Sequence, residues 1–147
     1  MTIKLELTPK ELERLVEIGI MSEWLMTAYD TQTEPEKEPY LNLIQKIYQT
    51  AAENGHKHID IFESDFYEPD MDWEESTLAK KCIDEFEQQT FWEELVRALA
   101  EKEAQMEIGA KAKISSEKQF EVFSRHAEKI AKEFEANGIK NLVLKRK

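Results

Sequence analysis

Residues 8–30, TPKELERLVEIGIMSEWLMTAYD, give the strongest indication of the fold. Thr8 and Glu11 have the capping-box spacing, in which each side chain accepts a hydrogen bond from the other residue's backbone N–H, and Pro9 suits the first helical position. In the second half, apolar residues cover nearly the whole helical circumference. Because such a helix is usually covered by neighbours on several sides, we predict that it is the central helix of a small bundle, with Leu25 buried.

Length and composition indicate one globular unit. A chain of 147 residues can bury a core without staples, so we expect a single domain over residues 1–147. Only four glycines and four prolines are present, which disfavours a turn-rich β fold. The one cysteine, Cys82, excludes an intramolecular disulfide, and we expect it to be a small apolar filler on the buried face of a helix.

Apolar spacing predicts four further helices, over about residues 39–54, 73–88, 91–107 and 116–137. Asp72 with Glu75, and Thr90 with Glu93, repeat the capping-box spacing and so predict the starts of the third and fourth helices. These two helices could equally be one bent helix, since nothing around residue 89 forbids continuation. Ser115 or Ser116 caps the fifth helix, and glycines at 55, 109 and 138 end three of the five.

Both ends of the chain alternate apolar and polar residues. Residues 2–7, TIKLEL, and 141–145, NLVLK, have the two-residue period of a strand, and a lone strand needs a partner. The expected fold is therefore an all-α bundle of about five helices, to which the two termini could add a minor two-stranded ribbon.

The charge distribution limits the partners. The net charge is −11; residues 1–109 hold 10 basic against 26 acidic residues, whereas residues 110–147 hold 10 against 5. An acidic body repels nucleic acid, so direct nucleic-acid binding is not expected. No helix pattern is apolar enough to span a membrane, and the N-terminus lacks a secretion-signal pattern, so we expect a cytoplasmic protein.

Three residues are the candidates for a metal site. Glu53 and His56 have a spacing used in di-iron bundles, and His56 and His58 would point the same way in an extended segment. No second Glu-x-x-His is present, however, and Gly55 interrupts the helix. We therefore expect no metal and no cofactor, with ordinary partly exposed histidines as the simpler interpretation.

The main candidate site is an acidic, aromatic stretch. Residues 58–79 contain eight carboxylates and neither Lys nor Arg. Acidic residues steer a basic partner and aromatic residues provide contact area, which predicts a partner-binding surface. The alternative is that the aromatic side chains pack into the bundle and the acids form its solvated rim. The candidate residues are Asp65, Phe66, Tyr67, Asp70, Asp72 and Trp73.

No catalytic motif accompanies this surface. The stretch lacks the glycine of a calcium loop, and the chain has neither a nucleophile elbow nor a phosphate-binding loop. The leading hypothesis is a non-catalytic interaction module for a basic or polar protein partner, such as an adaptor, an inhibitor or a nucleic-acid mimic. Two alternatives stay open: a metal-dependent enzyme whose carboxylates and histidines converge in the bundle, and a structural protein that self-associates, for instance as a homodimer.

Overall fold

The computed structural model describes residues 3–32, 34–109 and 115–143, and within them it has five helices and one two-stranded antiparallel sheet. The predicted all-helical class of fold is thereby confirmed. The chain divides into two compact units, Met1–Phe86 and Glu87–Lys147, which are described separately, and the single domain expected over residues 1–147 stays a prediction. The elements are α1 Pro9–Thr27, α2 Glu38–Glu53, β1 Ile59–Phe62, β2 Phe66–Pro69, α3 Met71–Glu74, α4 Leu78–Ile108 and α5 Ser116–Asn137.

Helix α1 begins with the predicted capping box. The backbone N–H of Thr8 donates to Glu11 Oε2 at 2.8 Å, and the backbone N–H of Glu11 donates to Thr8 Oγ1 at 3.3 Å. Only one face of the helix is buried, through Val16, Gly19 and Ile20. Leu25, which was expected to be buried, is 70% exposed, so that part of the prediction is wrong. Apolar residues are common on protein surfaces, so their number around a helix is a weak guide to burial.

The core of the first unit lies where α1, α2, the hairpin β1–β2 and the start of α4 meet. Tyr48 and Val16 are its largest fully buried side chains. The N–H of Ala79 at the start of α4 donates to the Glu17 carboxylate of α1 at 3.2 Å, which ties these two helices together. The buried residues of this core are Val16, Ile20, Ile44, Tyr48, Ala51, Ile59, Tyr67, Ala79 and Ile83.

Strands β1 and β2 form a hairpin in the acidic, aromatic stretch, where the sequence pattern predicted no strand. Ile59 pairs with Pro69 and Phe62 with Phe66, so residues 63–65 make the turn. Ser64 and Asp65 adopt positive φ angles of 69° and 56°, an unusual conformation for residues other than glycine. The absence of glycine explains why the turn was not recognised from the sequence.

The sheet of the structure is this hairpin and not the ribbon predicted from the two termini. Residues 3–7, which precede α1, form no strand. The partner run, residues 141–145, is described only as far as residue 143, and these described residues form no strand either. Alternation over five or six residues was therefore too weak a signal to predict pairing.

Helices α3 and α4 differ from the predicted third and fourth helices. Asp70, rather than Asp72, caps α3, which is a single turn. Helix α4 then continues through Thr90, so the alternative of one helix is confirmed there, and a separate start at that residue is wrong. Cys82, expected to be buried, is exposed on α4.

The second unit contains α4 from Glu87 onward and the whole of α5. The Ser115 hydroxyl caps α5 by accepting a hydrogen bond from the N–H of Lys118 at 3.3 Å, as one of the two predicted options had it. The rings of Trp92 and Phe134 pack with their centroids 5.5 Å apart. The buried residues here are small or medium-sized: Ala100, Ala104 and Val122.

Candidate functional site

An acidic pocket of about 440 Å³ lies in the first unit, bounded by α1, α2, the hairpin and α3. Four of its lining residues are carboxylates, and none of the described residues that line it is Lys, Arg or His. Such a volume lies within the usual range for ligand sites, roughly 300–1,000 Å³. The lining residues are Ile20, Glu23, Trp24, Thr27, Tyr48, Asp60, Phe62, Glu68, Pro69, Met71 and Glu74.

Tyr48 of α2 is the most deeply buried residue that lines this pocket. Its side chain is completely buried, and its hydroxyl donates a hydrogen bond to Glu23 Oε2 of α1 at 2.9 Å. Gly19 makes this approach of the two helices possible, because a Cβ at residue 19 would lie only 3.1 Å from Tyr48 Cε1. The missing side chain of Gly19 therefore leaves the space that the Tyr48 ring occupies.

Burial is the largest cause of the shifted pKa values of Glu23 and Tyr48. Burial raises the pKa of the Glu23 carboxyl, and the charge of Glu68 adds to this rise, although the hydrogen bond from Tyr48 partly offsets it. Burial also raises the pKa of the Tyr48 phenol well above its ordinary range, reinforced by the negative charge of Glu23 and the hydrogen bond to it. The phenol therefore stays protonated and acts as a donor to the carboxylate.

The other three carboxylates increase the negative charge. Burial raises the pKa of Glu74, followed in importance by the neighbouring charges of Glu75 and Glu23. Asp60 and Glu68 are direct partners across the antiparallel strands, and like charges in this position destabilise a sheet. The pocket thus concentrates negative charge that its own lining residues do not neutralise.

Apolar groups form the rest of the pocket. Trp24 lines the pocket and makes an edge-to-face contact with Phe86 of α4, with ring centroids 6.4 Å apart. Phe62 and Met71 line the pocket and are exposed, Met71 at 77%. The combination of carboxylates with an indole and flexible apolar side chains suits an organic cation better than a hydrated metal ion.

The predicted partner-binding residues separate into two groups. Tyr67 is buried, and both of its backbone polar groups are bonded to the side chain of Gln45: its N–H donates to Oε1 at 3.0 Å and its carbonyl accepts from Nε2 at 2.9 Å. Asp70 accepts a hydrogen bond from the N–H of Trp73 at 2.8 Å as a helix cap. These residues hold the hairpin and α3 in place.

Trp73 is half-buried against the two histidines. Its ring stacks on His58 with centroids 5.5 Å apart and receives the edge of His56 at 4.9 Å. The other three predicted residues, Asp65, Phe66 and Asp72, are exposed and line none of the pocket described above. Of the six predicted residues, therefore, none lies in the pocket lining, although all lie on the elements that build it.

The metal candidates do not form a ligand set. Glu53 accepts a hydrogen bond from Gln49 Nε2 at 2.9 Å, and His56 Nδ1 accepts from the N–H of His58 at 3.4 Å. Burial lowers the pKa of His56, which favours the neutral ring. Across residues 3–32, 34–109 and 115–143, no group of three or more His, Cys, Asp or Glu side chains is arranged to hold a metal ion.

A larger groove of about 760 Å³ lies beside these histidines. It carries both signs of charge, through Lys10, Glu13 and Lys57. Both histidine rings already pack against Trp73, the aromatic residue of this groove. This groove offers a weaker chemical preference than the acidic pocket.

Two central residues of the acidic pocket, Glu23 and Tyr48, were not predicted. They lie 25 residues apart on different helices, and no sequence spacing connects them. A glycine in the middle of a helix, Gly19, was the one available signal, because it marks a close approach of another element.

Comparison with protein-family models, with curated proteins and with solved structures found no match. None of the helices described has the length and apolar character needed to cross a membrane. The functional argument therefore depends on the geometry and chemistry of the pocket.

Proposed function

We propose that this protein is a non-catalytic interaction module that binds a basic segment of a partner protein, with a lysine or arginine side chain of the partner entering the acidic pocket. The observation that carries the proposal is the convergence of Glu23, Asp60, Glu68 and Glu74 on one cavity whose described lining holds no basic side chain. The cytoplasmic location expected from the sequence remains part of this proposal.

Two features favour this proposal over a merely solvated acidic rim. Carboxylates on an open rim are well hydrated, whereas burial raises the pKa of both Glu23 and Glu74. Lys80 offsets the rise at Glu74 only in part, and a partner cation would add opposite charge and favour the ionised form of both carboxyls. Trp24 and Met71 would meanwhile contact the aliphatic stem or the planar head of the entering side chain.

The probe for this proposal is an acetylated and amidated octapeptide in which arginine alternates with valine. We expect it to bind at low salt, to quench or shift the fluorescence of Trp24, and to lose affinity as salt is added. Changing Trp73 and Trp92 to Phe leaves Trp24 as the only fluorophore of its kind. Isothermal titration of the unmodified chain provides the affinity.

A triple variant tests the pocket directly. Asp60→Asn, Glu68→Gln and Glu74→Gln together should weaken peptide binding at least tenfold, while circular dichroism shows the fold intact. The matched control, Glu117→Gln, Glu121→Gln and Glu135→Gln, removes the same charge from exposed positions on α5. Equal losses in both variants, or no binding by the unmodified chain at low salt, would contradict the proposal.

Asp65, Asp70 and Asp72, which the sequence indicated as binding residues, provide a useful comparison. Neutralising these three residues should weaken binding less than neutralising the pocket, because they lie outside its lining. Asp70 must be changed to Asn rather than Ala, since its side chain caps α3 and Asn preserves the cap. A larger effect here than at the pocket would place the contact on the hairpin turn and α3.

A further inference from the structure

The two edges of the hairpin are not equivalent. On β2, the N–H and carbonyl of Tyr67 both bond to Gln45 of α2, so the helix side chain takes the place of a neighbouring strand. Pro69, the next outward-facing residue of β2, has no N–H to offer. The outer edge of β2 therefore offers a further strand no free N–H at Tyr67 or Pro69.

The outer edge of β1 follows from the same register. In an antiparallel pair, opposed residues alternate between exchanging both backbone hydrogen bonds and exchanging none. Because the backbone groups of Tyr67 are bonded to Gln45, its partner Ile61 belongs to a pair that exchanges none. Three residues further along the ladder, the N–H of Asp70 donates to the His58 carbonyl at 2.9 Å. A hydrogen-bonded pair at that position agrees with a non-hydrogen-bonded pair at Ile61 and Tyr67.

Ile61 consequently presents its N–H and carbonyl away from β2. Neither group has a hydrogen-bond partner among the residues that the structure describes, and Ile61 as a whole is 65% exposed. An exposed edge of this kind is a ready template for another extended segment.

We propose that the outer edge of β1 is a strand-addition site for an extended basic segment of a partner protein. This inference depends on the proposed function, because the charge of the surroundings selects the occupant. Asp60 and Glu68 stand side by side on one face of the hairpin, and Asp60 lines the acidic pocket. A strand added along β1 would carry every second side chain on that face. Basic residues at these alternate positions would therefore lie next to Asp60 and the pocket opening.

Backbone protection in the unmodified protein is the first test. The arginine–valine octapeptide is titrated into the unmodified chain, and amide hydrogen exchange is followed residue by residue. Strand addition predicts at least tenfold slower exchange of the Ile61 N–H at saturation, because this N–H then donates to the peptide. Two further peptides are N-methylated on the backbone, the first at every arginine and the second at every valine. At least one of these two peptides should bind at least tenfold more weakly than the unmethylated peptide.

A pair of variants provides the second test. Ile61→Pro removes the outward N–H without removing a β1–β2 hydrogen bond, and should weaken binding at least tenfold. Ile61→Ala removes the side chain but keeps the N–H, and should bind within about threefold of the unmodified chain. If Ile61→Pro disturbs the hairpin, the exchange and methylation experiments decide alone.

The outcomes separate the two proposals. Tight binding of all three peptides with unchanged exchange at Ile61 would overturn strand addition and leave the basic-partner function standing. Failure of the peptide to bind at low salt would overturn both. Protection of Ile61 that rises with protein concentration in the absence of peptide would show that a second copy of the chain occupies the edge, and would overturn the assignment to a basic partner.

Discussion

The hydrogen bond between Tyr48 and Glu23 provides the sharpest prediction about how the pocket is held. Tyr48→Phe removes only the hydroxyl, so the fully buried ring keeps its packing against Gly19. The variant leaves the Glu23 carboxylate without its donor in a partly desolvated position. A hydrogen bond to a charged group contributes about 1.5–3 kcal/mol, and residual water access to Glu23 places our expectation at the lower end of that range.

The pairwise contribution can be isolated with a second substitution. In a Glu23→Gln background the same bond is neutral, so Tyr48→Phe should cost only about 0.5–1.5 kcal/mol. The double-mutant cycle should therefore show a coupling of about 1 kcal/mol at pH 7. Urea unfolding in a Trp92→Phe background makes Trp24 and Trp73 the reporters, both of which belong to the first unit.

The expected loss of about 1.5–2 kcal/mol corresponds to a fall in Tm of roughly 3–8 °C for a chain of this size. A loss below about 0.5 kcal/mol, typical of surface substitutions, would contradict this account. So would an identical loss with Glu23 present and in the Glu23→Gln background, since the hydroxyl would then be acting on something other than the carboxylate charge.

Three further predictions concern packing and the second unit. Leu25→Ala should change the free energy of unfolding by less than about 0.5 kcal/mol, since Leu25 is exposed; a larger loss in urea unfolding would restore the buried position expected from the sequence. Gly19→Ala should destabilise, because overpacking against the fully buried Tyr48 costs about 1–3 kcal/mol while helix propensity returns about 1 kcal/mol; a gain in Tm would show that the ring can shift. His126→Ala should cost about 1 kcal/mol in the second unit, where the imidazole nitrogens lie 2.9 and 2.7 Å from two α4 carboxylates; an unchanged transition of Trp92 fluorescence would contradict this.

Helix ends were the most predictable part of the fold. The caps at Thr8 and Ser115 and the positive φ angles at Gly55, Gly109 and Gly138 depend on local chemistry that the sequence displays directly. The same local rule failed at Thr90, because a capping-box spacing also occurs inside a continuous helix. Local signals identify possible ends, and tertiary packing decides which of them are used.

Only part of the pocket lies in the stretch that the sequence singled out. The acidic, aromatic composition singled out residues 58–79, and the pocket takes Asp60, Glu68 and Glu74 from this stretch but also Glu23 from α1 and Tyr48 from α2. The hairpin that brings Asp60 and Glu68 together has a turn without glycine, so its register was invisible in the sequence. Contacts between elements distant in the chain come from the packing of the core, and no spacing rule encodes them.

Stability and binding should oppose each other at this pocket. Because burial raises the pKa of Glu23 and Glu74, the folded chain holds these protons more tightly than the unfolded chain does. Their contribution to stability is therefore fully present below the ordinary glutamate pKa of about 4.3, and is lost as pH rises through the raised folded values.

At neutral pH the ionised pocket thus weakens the fold. The change in unfolding free energy caused by Glu74→Gln should therefore be more favourable at pH 7 than near pH 4. The same variant should bind the peptide more weakly. A solvated rim predicts neither effect, because freely hydrated carboxylates have the same pKa in the folded and unfolded chain. A site kept for a cationic partner predicts both, since the partner supplies the charge that the fold leaves out. The opposite signs of these two changes in one variant are therefore stronger support for a binding role than either change alone.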